Sequence, residues 1–248
     1  MIENIVIKGI GIMNLKEYIA DADLVLVGIG EKFQDKFENI KVRDEKNLTI
    51  FEEFSRKKYL DDCDDDVMEA YRKLERLIEG KNYFIVTLCN DDKIFKTNIK
   101  PERIVAPCGS YQWLQCEDVC TEDIYFMGDY EQILMNGEEP KCPHCGKNLI
   151  VNRLGCKKYS EEGYLKKWNL YTKWLQGTLN KKVCILELGV GMKYPTVIRW
   201  PFERVAFINE KAKFLRVHEF LYQLTEEIKE KGISLETNPI ELLRNQIV

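Results

Sequence analysis

The chain has 248 residues, 45% hydrophobic and 31% charged, with 37 basic against 41 acidic side chains and a net charge of −4. A chain this long buries roughly 70–75% of the surface its unfolded form exposes, enough for one α/β domain with a small inserted module. The acidic balance argues against a nucleic-acid binder. The longest clean apolar run near the start, Leu24 to Gly30, is far shorter than the roughly 20 residues a bilayer needs, so no membrane partner is expected. "MIENIVIKGIG" lacks a basic leader and is interrupted by Glu3 and Lys8, which makes it a poor export signal. With nine cysteines, this predicts a cytoplasmic protein whose thiols are metal ligands, small core residues or reactive groups rather than disulfides.

In chain order, "ADLVLVGIG" (22–30) reads as a buried strand ending in a glycine turn. "DDDVMEAYRKLERLIEG" (64–80) places Val67, Ala70, Leu74 and Ile78 at helical spacing, with acids at the start and Gly80 as a stop. "YFIVTLC" (83–89) is a second buried strand and "ERIVAPCG" (102–109) a third. "GYLKKWNLYTKWLQG" (163–177) is a helix whose Leu165, Trp168, Tyr171, Trp174 and Leu175 form a packing face. "KVCILELGVG" (182–191) is a fourth strand; the runs "VAFIN" and "FLRVH" follow closely, and "RVHEFLYQLTEEIKEKG" (216–232) grades into a charged C-terminal helix. Continuous apolar strands alternating with helices predict a Rossmann-like, doubly wound parallel sheet covered on both faces. Two of those strands end in Gly-X-Gly, at 28–30 and 189–191, where open α/β sheets bind ligands and a backbone without Cβ atoms can approach phosphate. Either turn alone is equally well read as a tight strand-to-helix connection. The run "DDCDDD" (61–66) reads as a solvated helix start; it lacks the glycine and terminal glutamate of a calcium loop.

Cys116 and Cys120 are spaced C-x3-C, and Cys142 and Cys145 are spaced C-x2-C within "CPHCG". Two such pairs, separated by residues 121–141, are what tetrahedral sulfur coordination of zinc requires, each pair forming one knuckle. Four thiolates leave no open position, so this zinc is structural. His144 then faces solvent. The intervening segment is too short for a core of its own, and the metal supplies its folding free energy. The expected division is 1–109 with 156–248 as the sheet domain and 110–155 as the zinc module.

This order of elements resembles the sirtuins, NAD-dependent protein deacylases and ADP-ribosyltransferases, and is most similar to their macrodomain-linked class M. The residues that carry the resemblance are "NYFIVTLCNDDKIFK" (82–96), "GSYQWLQCEDVC" (109–120), "CPHCGKNLIVNR" (142–153) and "LELGVGMKYPTVIRWPFERV" (186–205), of which the last is the most specific. It spans most of 20–220 and is weakest over 31–65. The resemblance implies NAD as cofactor, with Gly28, Ile29 and Gly30 at the pyrophosphate and Gly189, Val190 and Gly191 lining the ribose. It places Asn90 and Asp92 near the nicotinamide end, His218 near the adenosine, and zinc on the four cysteines. It further implies a protein acceptor or acyl-lysine substrate. Read without it, Asn90 and Asp92 are turn residues after a strand.

The chain departs from the family at several places: the loop that usually covers the nicotinamide is shortened, one residue more than usual separates Thr87 from Asn90, and two further departures bear directly on the chemistry. Deacylases carry a histidine before the glycine of the third strand, and here that residue is Cys108. A free thiol, with a pKa near 8.5, is a poor base at neutral pH. Cys108 is read as a small buried residue, as a pocket lining, or as an activated nucleophile, although no His, Lys or Arg adjoins it. The first glycine turn is followed by Glu31, whose charge repels a pyrophosphate unless it points away. Three functions follow: an NAD-dependent ADP-ribosyltransferase or deacylase of divergent type, an NAD hydrolase, and a silent NAD- and zinc-binding scaffold. Cys63, Cys89, Cys156 and Cys184 are read as core or incidental.

Overall fold

The computed structural model describes residues 13–37, 41 and 48–247. The stretch 1–11 that was read for an export signal lies outside them. Among the described residues, nine strands and seven helices follow one another as α1 (Leu15–Tyr18), β1 (Leu24–Ile29), α2 (Ile50–Asp62), α3 (Asp66–Ile78), β2 (Asn82–Thr87), β3 (Ile104–Val105), β4 (Gly109–Cys116), β5 (Tyr125–Phe126), α4 (Glu131–Met135), β6 (Leu149–Arg153), α5 (Glu162–Gln176), β7 (Val183–Leu188), α6 (Arg199–Ile208), β8 (Lys213–Val217), β9 (Gly232–Leu235) and α7 (Pro239–Arg244). Six strands form a parallel sheet in the order β3-β2-β1-β7-β8-β9.

β1 and β7 are buried along their whole length. Alternate residues enter opposite cores, as period-two geometry demands. Val25, Val27, Ile29, Leu186 and Leu188 join a core with Tyr71 and Leu74 of α3 and Leu243 of α7. Leu24, Leu26, Val183 and Ile185 join a core with Tyr171 of α5 and Phe202 of α6. This is the doubly wound sheet the strand pattern predicts. The α3 helix starts where Asp65 accepts hydrogen bonds from the N–H groups of Val67 and Met68, both at 3.1 Å. Of α5, Tyr171 is buried, while Trp168, Trp174 and Leu175 pack half-buried against the second core.

β4, β5 and β6 form a separate antiparallel sheet, order β5-β4-β6. Its core gathers Tyr111, Leu114, Met127, Leu134, Leu149 and Val151, and is completed from outside by Ile50, Phe54 and Leu60 of α2. The four-cysteine segment thus borrows a helix from far upstream.

Three expectations need correction. The strand read over 102–109 is two pieces: a turn at Pro101–Arg103 and the two-residue β3, with Gly109 already in the other sheet. Pro107 has no N–H to continue a ladder. The run "VAFIN" closes helix α6 and only "FLRVH" is a strand. The C-terminal helix read over 216–232 is absent. After β8 comes irregular chain, one short turn at Glu226–Ile228, and then β9 paired in parallel with β8 from Phe214↔Gly232 to Val217↔Leu235. Val217, Leu221, Leu224 and Ile228 have helical spacing, but satisfying the backbone of the buried strand β8 outweighs that local propensity.

Candidate functional site

The chain runs from β1 outward to β3, then returns to β7 beside β1 and continues to β9. Between β1 and β7 the winding reverses, which is where open α/β sheets bind ligands beyond the carboxyl ends of their strands. Both Gly-X-Gly turns lie there. Ile29 pairs with Leu188, and the Gly30 N–H donates to Leu188 O at 2.8 Å.

Each glycine has its own reason. A Cβ on Gly28 would lie 2.6 Å from Ile198 and 2.8 Å from Phe202. One on Gly30 would overlap Gly189 O and Val190 Cα, so the first turn is seated directly on the second. Gly189 has φ +66°, the left-handed region in which a side chain is strained. The atoms nearest to a Cβ on Gly191 are those of the Glu31 carboxylate, the closest at 3.2 Å. Thus Gly28, Gly30 and also Gly189, whose Cβ would lie 2.7 Å from Lys32 Cβ, are required by packing within the chain, whereas Gly191 faces a carboxylate.

The second turn is held from beneath by buried ion pairs. Glu187, at the end of β7, meets Arg216 at 2.6 and 3.0 Å, and Arg216 also pairs with Glu203 at 2.7 Å. Arg199 donates to Val190 O at 2.8 Å and to Leu221 O at 2.6 Å, and lies 3.4 Å from Glu187. His218, just past β8, is buried, and its Nδ1 accepts the N–H groups of Phe220 and Leu221, both at 3.0 Å. Burial, then the charges of Lys32 and Arg199, lowers its pKa, so the ring is neutral with its proton on Nε2.

The loop after β2 lies against the first turn. Gln34 Oε1 accepts the Asn90 N–H at 2.9 Å, and Tyr111 N donates to Asn90 O at 3.1 Å. The Asn90 side chain is half-buried. Asp92 is buried at φ 61° and accepts from Ser110 Oγ at 2.8 Å and from the Gln112 N–H at 3.2 Å. Burial pushes its carboxyl up to about 7, and the neighbouring Asp91 is pushed up to about 6 for the same reason. Behind them Lys93, fully buried, pairs with Asp35 and Asp65, each at 2.6 Å. Burial opposes its charge, but those carboxylates outweigh it and raise its pKa. Asp35, Cys63 and Asp65 lie close enough to suggest a metal site, but the Lys93 ammonium already occupies the space between the two carboxylates and pairs with both. Asp65 is therefore both one of the acids expected at the helix start, where it caps α3, and a partner to Lys93 that sequence does not disclose.

Cys108 sits at the junction of the two sheets, 3% exposed, its carbonyl accepting the Leu154 N–H at 2.9 Å. Burial and then the charge of Glu31 push the thiol up to about 12, so it stays protonated at neutral pH. Tyr159 Oη, beside it, donates to Pro107 O at 2.9 Å. Gly109, at φ +95°, has no room for a Cβ against Asn152 and Arg153 of β6.

The four cysteines of the expected clip converge, all four sulfurs lying within 4.8 Å of one another. Cys116 and Cys145 are 3.5 Å apart and Cys120 and Cys142 are 3.6 Å apart. Sulfurs bound tetrahedrally at about 2.3 Å stand roughly 3.8 Å apart, so the donor set fits zinc with little adjustment. Burial raises the Cys142 thiol, but the N–H groups of Cys145 and His144, with the neighbouring thiols, bring it down to about 7. His144 itself is exposed and pairs with Asp123 at 2.7 Å.

Among the described residues, no helix is long and apolar enough to cross a membrane. No family model matches the chain. It is similar to a protein ADP-ribosyltransferase of Staphylococcus aureus (strain Mu50), 24% identical over 262 aligned positions that cover 89% of this chain and 82% of that protein. It is also similar to a probable bifunctional ADP-ribose hydrolase/ADP-ribosyltransferase of Fusarium oxysporum f. sp. cubense, 30% identical over 155 positions, 56% of this chain and 26% of that one. A sirtuin structure solved to explain substrate affinity superposes with a TM-score of 0.62 at 14% identity, covering 95% of this chain and 97% of its own. A Sir2 complex with a p53 peptide and NAD+ gives 0.56 at 16% identity, covering 94% and 96%.

Proposed function

We propose, starting from the sirtuin fold that these superpositions establish, that the chain binds NAD where its two glycine turns meet and transfers ADP-ribose from it to a protein acceptor. The observation that carries this is the side-by-side placement of both Gly-X-Gly turns at the reversal of strand order, with Asn90, Asp92 and Cys108 beyond them. The names of the two curated relatives support the transferase reading. Gly28, Ile29 and Gly30 are assigned to the diphosphate, Gly189, Val190 and Gly191 to a ribose, and His218 to the adenosine end. We also assign 1–109 with 156–248 to the nucleotide domain and 110–155 to a module held by zinc on Cys116, Cys120, Cys142 and Cys145.

Breaking the bond between nicotinamide and ribose builds positive charge on the sugar. An ionised Asp92 stabilises that charge, and the Asn90 amide orients the ring being lost. Burial raises the Asp92 carboxyl to about 7, so it can be charged within the neutral range. The protonated thiol of Cys108 supplies no base, which ranks transfer of an acyl group from lysine below transfer of ADP-ribose.

A second reading, binding without turnover, is favoured by the Glu31 carboxylate at the second turn. Incubating the chain with NAD separates the possibilities. Nicotinamide released only with a protein acceptor supports transfer. Free ADP-ribose formed from NAD alone supports hydrolysis, and NAD bound without release under every acceptor supports the silent reading.

A further inference from the structure

Glu31 follows the first turn and reaches the second. Its Oε2 accepts the Gly191 N–H at 2.8 Å, across 160 positions of sequence. Its Oε1 is buried and has no hydrogen-bond partner. Lys32, next in sequence, turns away to pair with Glu219. The backbone that presents Glu31 is anchored, because Phe33 is fully buried and stacks on Tyr71 with centroids 5.4 Å apart. Around the carboxylate stand Cys108, Arg199 and His218, each near enough to feel its charge. It therefore lies between the expected catalytic end of the site and the expected adenosine end.

A carboxylate oxygen has no proton to give, so an orphaned one is satisfied only by a donor. A phosphate brought to the Gly191 N–H meets a like charge and displaces the bond already made there. A sugar hydroxyl brings the missing proton and displaces nothing. Resting on the nucleotide reading above, we infer that Glu31 is a ligand-binding residue. Its Oε1 accepts a hydrogen bond from a ribose hydroxyl while Oε2 remains on Gly191, so the second turn takes an unphosphorylated ribosyl group and excludes phosphate.

The test is calorimetric titration of the full, zinc-loaded chain and of its Glu31→Ala and Glu31→Gln variants with NAD and, separately, with inorganic pyrophosphate. Loss of the charge-assisted bond weakens NAD binding to Glu31→Ala at least tenfold. Glu31→Gln, which keeps an acceptor oxygen, falls between. Pyrophosphate, which has no sugar, binds the variants as well as or better than the unaltered chain. Should Glu31→Ala fail to fold, Glu31→Gln decides alone, by at least threefold weaker NAD binding with pyrophosphate undiminished. NAD binding that is unchanged or tighter in the variants overturns the inference and makes Glu31 a plug on the turn. Equal weakening for both ligands also overturns it, since that is a general collapse of the site. If the unaltered chain binds no NAD, the nucleotide reading itself fails and this inference falls with it.

Discussion

The turn after β1 and the turn after β7 carry the same Gly-X-Gly pattern and lie side by side, yet they are held by opposite means. The first is held by contact: Gly28 leaves room for Ile198 and Phe202, and Gly30 lies against the backbone of Gly189 and Val190. The second is held by charge: Arg199 grips Val190 O, Glu187 joins Arg199 to Arg216, and Glu31 caps the Gly191 N–H. A glycine pattern therefore does not by itself mark a phosphate cradle. The missing Cβ atoms of Gly28, Gly30 and Gly189 are accounted for by the fold, and only Gly191 leaves a backbone donor facing a carboxylate.

The widest separation between the turns comes from substituting their glycines. Gly30→Ala sets a methyl group into backbone that cannot yield, with an expected loss of about 4 kcal/mol or more in urea unfolding. Gly191→Ala has the end of the flexible Glu31 side chain as its nearest neighbour, with an expected loss of no more than about 1 kcal/mol. Equal losses would erase the distinction between contact and charge. Next in size, Glu187→Ala leaves Arg199 and Arg216 buried without their shared carboxylate and costs about 3–5 kcal/mol, whereas a loss under about 1 kcal/mol would show that the network does not support the turn.

A smaller effect distinguishes the surroundings of the two turns by pH. Beside the first, the raised pKa values of Asp91 and Asp92 mean that the folded chain holds more protons than the unfolded one between about pH 4 and 7. Stability there falls as pH rises, by on the order of a few kcal/mol. Beside the second, the lowered pKa of His218 means that the unfolded chain binds the extra proton, so stability from this group falls as pH drops through about 6.5. Asp92→Asn should flatten the decline seen on raising pH from 5 to 8, and His218→Gln should steepen it. Unchanged slopes in thermal melts across this range would remove the two groups from the account.

Legibility followed the distance between partners. The strands β1 and β7, the glycine turns, the helices α3 and α5 and the four cysteines all announce themselves within short windows of sequence. What stayed hidden depends on partners far apart. Glu31 reads as an obstacle to phosphate until Gly191 is found beside it. Lys93 reads as one of many lysines until α3 brings Asp65 to it. The C-terminal segment has helical spacing, and only the unsatisfied edge of β8 explains why its end becomes β9. Cys108 was legible as a departure from a pattern, but its thiol's protonation follows from burial and from Glu31, neither of which its sequence neighbours reveal.

The central claim is that NAD binds where the two turns meet, and it is tested most directly by titrating NAD calorimetrically into the zinc-loaded chain and into Gly191→Val. The account predicts saturable binding of one NAD per chain, lost by at least tenfold when the isopropyl group fills the space at the second turn while the melting temperature shifts by only a few degrees. No binding by the unaltered chain, or binding that Gly191→Val leaves intact, would contradict it.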